Sequence, residues 1–328
     1  MNTKKPEIVI ASDNSGSPLP ALELLLALRP NASYHEARDR RHPLGVYCLS
    51  VGRICDKVGK CADRLEGFWQ KTGGPDNIHD DIDNIHDDII DYLELAMYAA
   101  AEHVDDLELI AATFFRTDRE AAASADVRLL KKAIKPLRDE IAAFTNTIKH
   151  SHGRLRLYET DFHHDGNSIT VLGFFIEGFH QGGVAPHPVL HTGGKTVLSV
   201  TSFLWNILTY MGEMSTALAE FLRRIDASDS GEQPADTAVF RQTALKLARL
   251  PLYSFDEDHP FHRVRWLLHL DKAAEDATRS GIYGSLYTRW SKSSAGTFGG
   301  FRLLYGGDGA TRTFKIVNPT KLRLQHWE

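Results

Sequence analysis

Apolar residues recur three and four positions apart in several long stretches of the chain, a spacing that predicts amphipathic helices. Two such patterns fill the region from Gly45 to Phe115. Between them, Thr72 to Pro75 contains glycines and a proline, which favour a turn and the start of a new helix. The pattern therefore predicts an antiparallel pair of long helices.

Two further helices are predicted downstream. A third helical pattern extends from about Arg119 to Ser151, with Pro136 marking a kink or a restart, and a fourth extends from about Thr196 to Arg224. One apolar face of the third helix is made of Leu137, Ile141, Phe144 and Ile148. The most apolar part of the fourth pattern is shorter than a membrane-spanning helix and runs into an amphipathic segment, so a buried core helix is expected.

The period of the pattern changes twice from helical to strand-like. Residues 154–180 contain two alternating, β-branched or aromatic runs around Asp165-Gly166, which predicts a β-hairpin. From about Gly281, short aromatic, β-branched and basic runs are divided by glycine pairs, which predicts a small antiparallel sheet. The expected fold is mainly α: an antiparallel helical bundle interrupted by a β-hairpin, with a small C-terminal antiparallel sheet, α+β overall.

These patterns suggest three regions along the chain. Residues 1–45 are expected to be an N-terminal extension, because a short strand and a short helix there are joined by turn-rich sequence. Residues 46–250 are expected to form the helical bundle domain, with the β-hairpin at 154–180. Residues 251–328 are expected to hold a C-terminal helix and the small sheet.

Residues 76–89 contain the heptad DNIHDDI twice without change. On a helix, its isoleucines at 78, 82, 85 and 89 form one apolar stripe, which explains why a unit of seven can be duplicated without disturbing a core. On a neighbouring face, His79, Asp83 and His86 have the spacing from which side chains converge on a cation.

The alternative reading of the repeat is a solvated acidic face of a helix. Its aspartates lie near a predicted helix start, where the helix dipole favours negative charge. The third helix carries a basic row that would pair with this acidic face across the bundle, made of Arg128, Lys131, Lys135 and Arg138. We favour this structural role and expect neither metal nor cofactor.

The end of the third helix carries candidate catalytic chemistry. Asn146, Lys149 and His150 lie on the helical face opposite the apolar stripe, and Arg154 follows the helix. A histidine exchanges protons near neutral pH, and cationic side chains stabilise negative charge on a phosphate. This is the equipment for metal-independent cleavage of RNA through its own 2′-hydroxyl. The structural alternative is an exposed helix end at which His150 complements the helix dipole.

A helical bundle whose third helix ends in Asn-x-x-Lys-His resembles the HEPN superfamily, over about residues 46–226. The resemblance implies a ribonuclease of toxin or anti-phage defence systems, acting as a homodimer. The family pattern is an arginine, then four to six residues often led by asparagine, then histidine. Asn146 and His150 match it, but residues 143–145, at the arginine positions, are Ala, Phe and Thr. Lys149 or Arg154 would supply the positive charge.

Basic and aromatic residues also alternate near the C-terminus. The basic residues are candidate nucleic-acid contacts, because Trp290, Tyr305 and Phe314 lie between them as stacking platforms. They are Arg289, Arg302, Arg312, Lys315 and Arg323. The alternative is that the aromatic residues form a small core and the basic residues are solvated.

Composition limits the classes of function. A formal net charge of −5 argues against coating nucleic acid through bulk positive charge, so any RNA contact would be local. Cys48, Cys55 and Cys61 lack metal or redox spacing, and the short apolar runs predict no membrane association and a cytoplasmic location. The second hypothesis for function is a non-catalytic helical adaptor that binds a protein partner.

Overall fold

A computed structural model describes residues 7–11, 17–72, 80–151, 153–164, 167–180, 183–192, 197–229, 235–255, 265–269, 290–293, 297–303 and 322–325. Side chains are described within 17–70, 84–151, 153–160, 170–178, 186–192, 197–229 and 235–255. Over this part of the chain the protein is mainly helical with antiparallel strands, as the sequence predicts. The helices are α1 (Pro20–Leu26), α2 (Pro43–Thr72), α3 (Asp80–Ala112), α4 (Asp118–Ala123), α5 (Ala125–His150), α6 (Val200–Arg224) and α7 (Ala238–Ala248).

The described strands are β1 (Glu7–Ala11), β2 (Leu155–His164), β3 (Asn167–His180), β4 (Gly183–Pro186), β5 (Leu198–Ser199), β6 (Tyr253–Ser254), β7 (Arg265–His269), β8 (Trp290–Ser293), β9 (Thr297–Leu303) and β10 (Leu322–Gln325). The main sheet has the order β4-β3-β2-β9, with β5 on β3. The order of a second sheet is β6-β10-β8, and β1 pairs with β7. The predicted hairpin is confirmed, since β2 and β3 pair antiparallel from Leu155↔Ile176 to His164↔Asn167.

Helices α2 and α3 form the predicted antiparallel pair. Ser50 Oγ near the start of α2 lies 2.8 Å from Nδ1 of His103 near the end of α3. Farther along, Arg64 Nε of α2 lies 2.8 Å from Asp88 Oδ2 of α3. Residue numbers rise on one helix as they fall on the other, so the two helices run in opposite directions.

The third predicted helix is divided, although not at Pro136. The break falls at Ser124, whose hydroxyl accepts hydrogen bonds from the backbone N–H groups of Asp126 and Val127 and so caps α5. Pro136 lies inside α5, which continues to His150. The predicted apolar face is confirmed: Leu137, Ile141 and Phe144 are buried, and Ile148 packs against the core.

Helix α6 lies in the core, as its apolar sequence predicts. It buries Trp205, Leu208, Met211 and Leu218, among others. Ser215 of α6 accepts a hydrogen bond of 2.7 Å from the Tyr47 hydroxyl and one of 3.1 Å from the Ala21 backbone N–H. These bonds connect α6 with α2 and α1 inside the core, and α1 contributes Leu22 and Leu25 to the same core.

Both faces of the hairpin are covered where its side chains are described. Leu155, Leu157 and Phe174 belong to the core that the helices form. On the other face, Tyr158 and Val171 pack with Val197, Tyr253 and Phe255. This packing fixes the position of the hairpin at the edge of the helical core, directly after the end of α5.

Candidate functional site

The candidate catalytic residues lie at the junction of α5 and β2. Asn146, Lys149 and His150 are exposed on α5, because the opposite face of the helix is buried in the core. The chain leaves the helix at Ser151 and enters β2 at Leu155, which places Arg154, also exposed, one residue before the strand. Their predicted exposure is thus confirmed.

Gly153 fixes the sharp path from α5 into β2. A Cβ atom at this position would lie 2.6 Å from the Glu177 backbone oxygen and 3.0 Å from Thr147 Cγ2. Only glycine allows this close approach of the two backbones. The glycine thus allows the chain that leaves α5 to pack directly against Glu177 of β3.

Helix α3 supplies two side chains that sequence reasoning missed. The Lys149 ammonium lies 4.6 Å from the centre of the Tyr98 ring, a cation–π contact. One turn earlier on α3, burial raises the pKa of the Glu94 carboxyl, while the Leu155 backbone N–H and the Arg154 guanidinium act in the opposite direction. Burial, and secondarily Glu94, also raises the pKa of Tyr98. We name these six residues, Asn146, Lys149, His150, Arg154, Glu94 and Tyr98, the α5-end cluster.

The i, i+4 spacing of Glu94 and Tyr98 was the available signal for this pair. That spacing places two polar side chains on one face of α3, but it does not show which part of the chain faces them. The arrangement combines an imidazole, two cations, a partly buried carboxyl and an aromatic ring.

The second copy of the repeat has one apolar face in the core and one histidine packed against the hairpin. Ile85 and Ile89 are buried, which confirms the apolar stripe for the second copy. His86, however, is only 3% exposed and its Nε2 lies 3.4 Å from Glu159 Oε2 on β2. Its ring also lies 5.4 Å from the Phe68 ring of α2. His86 is therefore a packed residue, because β2 lies over this part of α3, whereas Asp87 of the same copy is exposed, as expected for the acidic face.

Other parts of the repeat fall outside the description. Residues 76–79 are not described, and the side chains of 80–83 are not described either. Among the described residues, no group of three or more His, Cys, Asp or Glu side chains is placed to hold a metal ion.

The basic row of α5 does not face the repeat. Lys131 Nζ lies 2.6 Å from Glu108 Oε2, and Arg138 lies 3.7 Å from Glu108 Oε1, so the row pairs near the opposite end of α3. Lys135 and Arg138 also pair with Asp139 of α5 itself. The expected pairing with the repeat was wrong, since α5 crosses α3 at its C-terminal half.

The C-terminal basic residues are described only in part. Arg302 lies on β9 beside β2, and Arg323 lies on β10 between β6 and β8, so the two belong to different sheets. Arg289, Arg312 and Lys315 lie outside the described residues.

The three cysteines are free thiols. Cys55 and Cys61 are buried, and Cys48 is exposed. Burial raises the pKa of Cys55 to about 11, so this thiol is protonated at neutral pH.

The fold and the α5-end cluster define a mainly helical protein with an antiparallel sheet and an exposed polar surface where helix meets sheet. No family model, curated protein or solved structure compared with this chain matches it. None of the helices that the structure describes is long and apolar enough to cross a membrane.

Proposed function

We propose that this protein binds and cleaves RNA at the α5-end cluster, in a metal-independent reaction that uses the 2′-hydroxyl of the RNA. The observation that carries the proposal is the joint exposure of Asn146, Lys149, His150 and Arg154 at one helix end. The Lys149 contact with Tyr98 adds an aromatic ring to this surface. Cations beside an aromatic ring are suited to an RNA phosphate and its neighbouring base.

Each side chain has a defined role in the proposed reaction. His150 accepts the 2′-hydroxyl proton as the 2′-oxygen bonds to phosphorus, and the bond from phosphorus to the 5′-oxygen breaks. The products are a 2′,3′-cyclic phosphate and a 5′-hydroxyl, which takes up a proton. Lys149 and Arg154 stabilise the additional negative charge on the phosphorane, and Asn146 positions the phosphate through hydrogen bonds.

A two-fold dimer would enclose the cluster. On one chain the α5-end cluster is open to water, which screens its charges. Two copies facing each other would exclude water and bring two His150 side chains to one RNA, so one would act as base and the other as acid. We place the protein among cytoplasmic toxins or anti-phage defence effectors, in line with the HEPN resemblance.

The test compares wild type, His150→Ala and the control His42→Ala in bulk RNA integrity, cell growth and cleavage by purified protein. His42 is also an exposed histidine, but it lies before α2. We expect His150→Ala to lower cleavage about 100-fold or more, His42→Ala to have no effect, and EDTA not to inhibit. Equal cleavage by His150→Ala, or cleavage only with a divalent ion, would rule out this mechanism. If wild type neither cleaves nor binds RNA, the result would favour the second hypothesis, a non-catalytic helical adaptor that binds a protein partner.

A further inference from the structure

A groove unrelated to the α5-end cluster lies between the N-terminal part of α2 and the C-terminal part of α3. Its volume is about 310 Å³. It is lined by Arg40, Arg41, Val46, Leu49, Arg53, Asp106 and Leu109, and we name it the arginine groove.

The floor of the arginine groove is aliphatic and open to solvent. Leu49 is 51% exposed and Leu109 is 37% exposed. Val46, Leu49 and Arg53 recur at i, i+3 and i+7 on α2, so the apolar floor and a guanidinium share one helical face. No aromatic ring is among the lining residues, all of which the structure describes, so the groove has no platform for stacking a base.

Two of the three arginines that line the groove form ion pairs with carboxylates. Arg53 is held by Glu102 at 2.5 Å and by Asp106 at 3.0 Å. Arg40 lies 3.3 Å from Asp118, a carboxylate that it shares with Arg38. Arg41 is exposed, and no ion pair of its guanidinium is found among the residues that the structure describes. One positive charge beside an aliphatic floor is therefore available to a ligand.

We propose that the arginine groove binds a small aliphatic carboxylate. The carboxylate pairs with Arg41, since a single unpaired guanidinium matches a monoanion and its planar fork binds carboxylate oxygens in pairs. The aliphatic body covers Leu49 and Leu109 and removes their exposed apolar surface from water. A groove of this volume lies at the lower end of the range for small-molecule sites.

The test measures binding of sodium octanoate, below its critical micelle concentration, by isothermal titration calorimetry. Wild type should show saturable binding to one site per chain, and sodium acetate, which lacks the aliphatic body, should bind far more weakly. Arg41→Gln should weaken octanoate binding about tenfold or more through the lost charge-assisted pair. Leu49→Ser should weaken it about fivefold through the lost apolar contact.

The matched control is Arg241→Gln, an identical change at an exposed arginine of α7. Its octanoate affinity should equal that of wild type. Arg41 and Leu49 are exposed, so both variants should keep the circular dichroism spectrum and melting temperature of wild type. The proposal would be overturned by the absence of saturable octanoate binding, by equal affinity of Arg41→Gln and wild type, or by self-association through this face that Leu49→Ser abolishes.

Discussion

His86 Nε2 lies 3.4 Å from Glu159 Oε2, and this contact joins the repeated heptad of α3 to the first strand of the hairpin. The two residues are separated by most of α3, by α4 and by α5 in the chain. The imidazole is almost completely buried, with its ring beside that of Phe68. This position makes His86 part of the structure that holds the hairpin on the bundle.

His86→Ala should therefore destabilise the protein. The loss in the free energy of unfolding should be about 2 kcal/mol or more, because a buried ring is removed and Glu159 loses its imidazole neighbour. The control Asp87→Asn changes an exposed residue of the same heptad and should alter stability by less than about 0.5 kcal/mol. Urea unfolding of wild type and the two variants gives these values. An equal loss of stability in both variants would show that His86 does not hold the hairpin on the bundle.

Zinc should not raise the melting temperature of wild type. A metal that binds only the folded state must raise apparent stability. This measurement therefore tests directly whether the repeated heptad binds a cation. The comparison protein is the double variant with Asp83→Asn and His86→Gln. A rise of several degrees in wild type that the double variant loses would show that the heptad binds metal.

Stability should fall as the pH is lowered, through His103. Burial lowers the pKa of His103 to about 4, so between that value and its ordinary value of 6.5 the unfolded chain binds a proton that the folded chain does not. This contribution is therefore fully present above pH 6.5 and is lost as the pH falls towards 4, with a total of about 3 kcal/mol. His103→Gln, which retains a polar partner for Ser50, should flatten this dependence in urea unfolding measured from pH 4.5 to 7.5. An unchanged slope would contradict the assignment.

Gly173→Ala and Gly52→Ala should have opposite effects. A Cβ at position 173 would lie 2.2 Å from Val197 Cγ1 and 2.8 Å from Phe255 Cε2, so alanine should cost about 1 to 3 kcal/mol. A Cβ at position 52, inside α2, meets nothing within 4 Å, so alanine there should add about 0.5 to 1 kcal/mol through its helix propensity. Thermal unfolding distinguishes the two, and a stabilised Gly173→Ala would show that β3 does not pack this closely.

Lys149→Ala should weaken binding of single-stranded RNA, because Lys149 is the cation placed over Tyr98. If it contacts one phosphate, the slope of log affinity against log salt should become shallower by about 0.7. Lys132→Ala removes the same charge from an exposed position in the first half of α5 and should leave the slope unchanged. Fluorescence anisotropy at several salt concentrations measures the slope for each variant. Equal slopes in the two variants would show that the α5-end cluster does not contact RNA.

The C-terminal basic residues should contribute separately to RNA affinity. Changing all five, Arg289, Arg302, Arg312, Lys315 and Arg323, to Gln should lower affinity and flatten the salt dependence in proportion to the phosphates that they contact. The control changes five exposed basic residues on the helices or directly after one of them, Arg119, Lys132, Arg223, Arg241 and Arg249. An equal decrease in both proteins would mean that only net charge matters.

The sequence alone predicted the long helical segments and the hairpin, but not the break at Ser124 that separates α4 from α5. The spacing of Leu137, Ile141 and Phe144 showed the buried face of α5, and therefore the exposed face that carries Asn146 and His150. These predictions succeeded because helical and strand periodicity is set by residues a few positions apart, whose side chains must all face the same core.

Only the tertiary structure decided which distant side chains meet. Lys149 lies over Tyr98, His86 faces Glu159, and Lys131 pairs with Glu108 instead of the repeat. Each contact joins residues from different elements, and its partner depends on where one helix or strand crosses another. That crossing results from packing across the whole core, so the local spacing that shows the face of a helix does not show what covers that face.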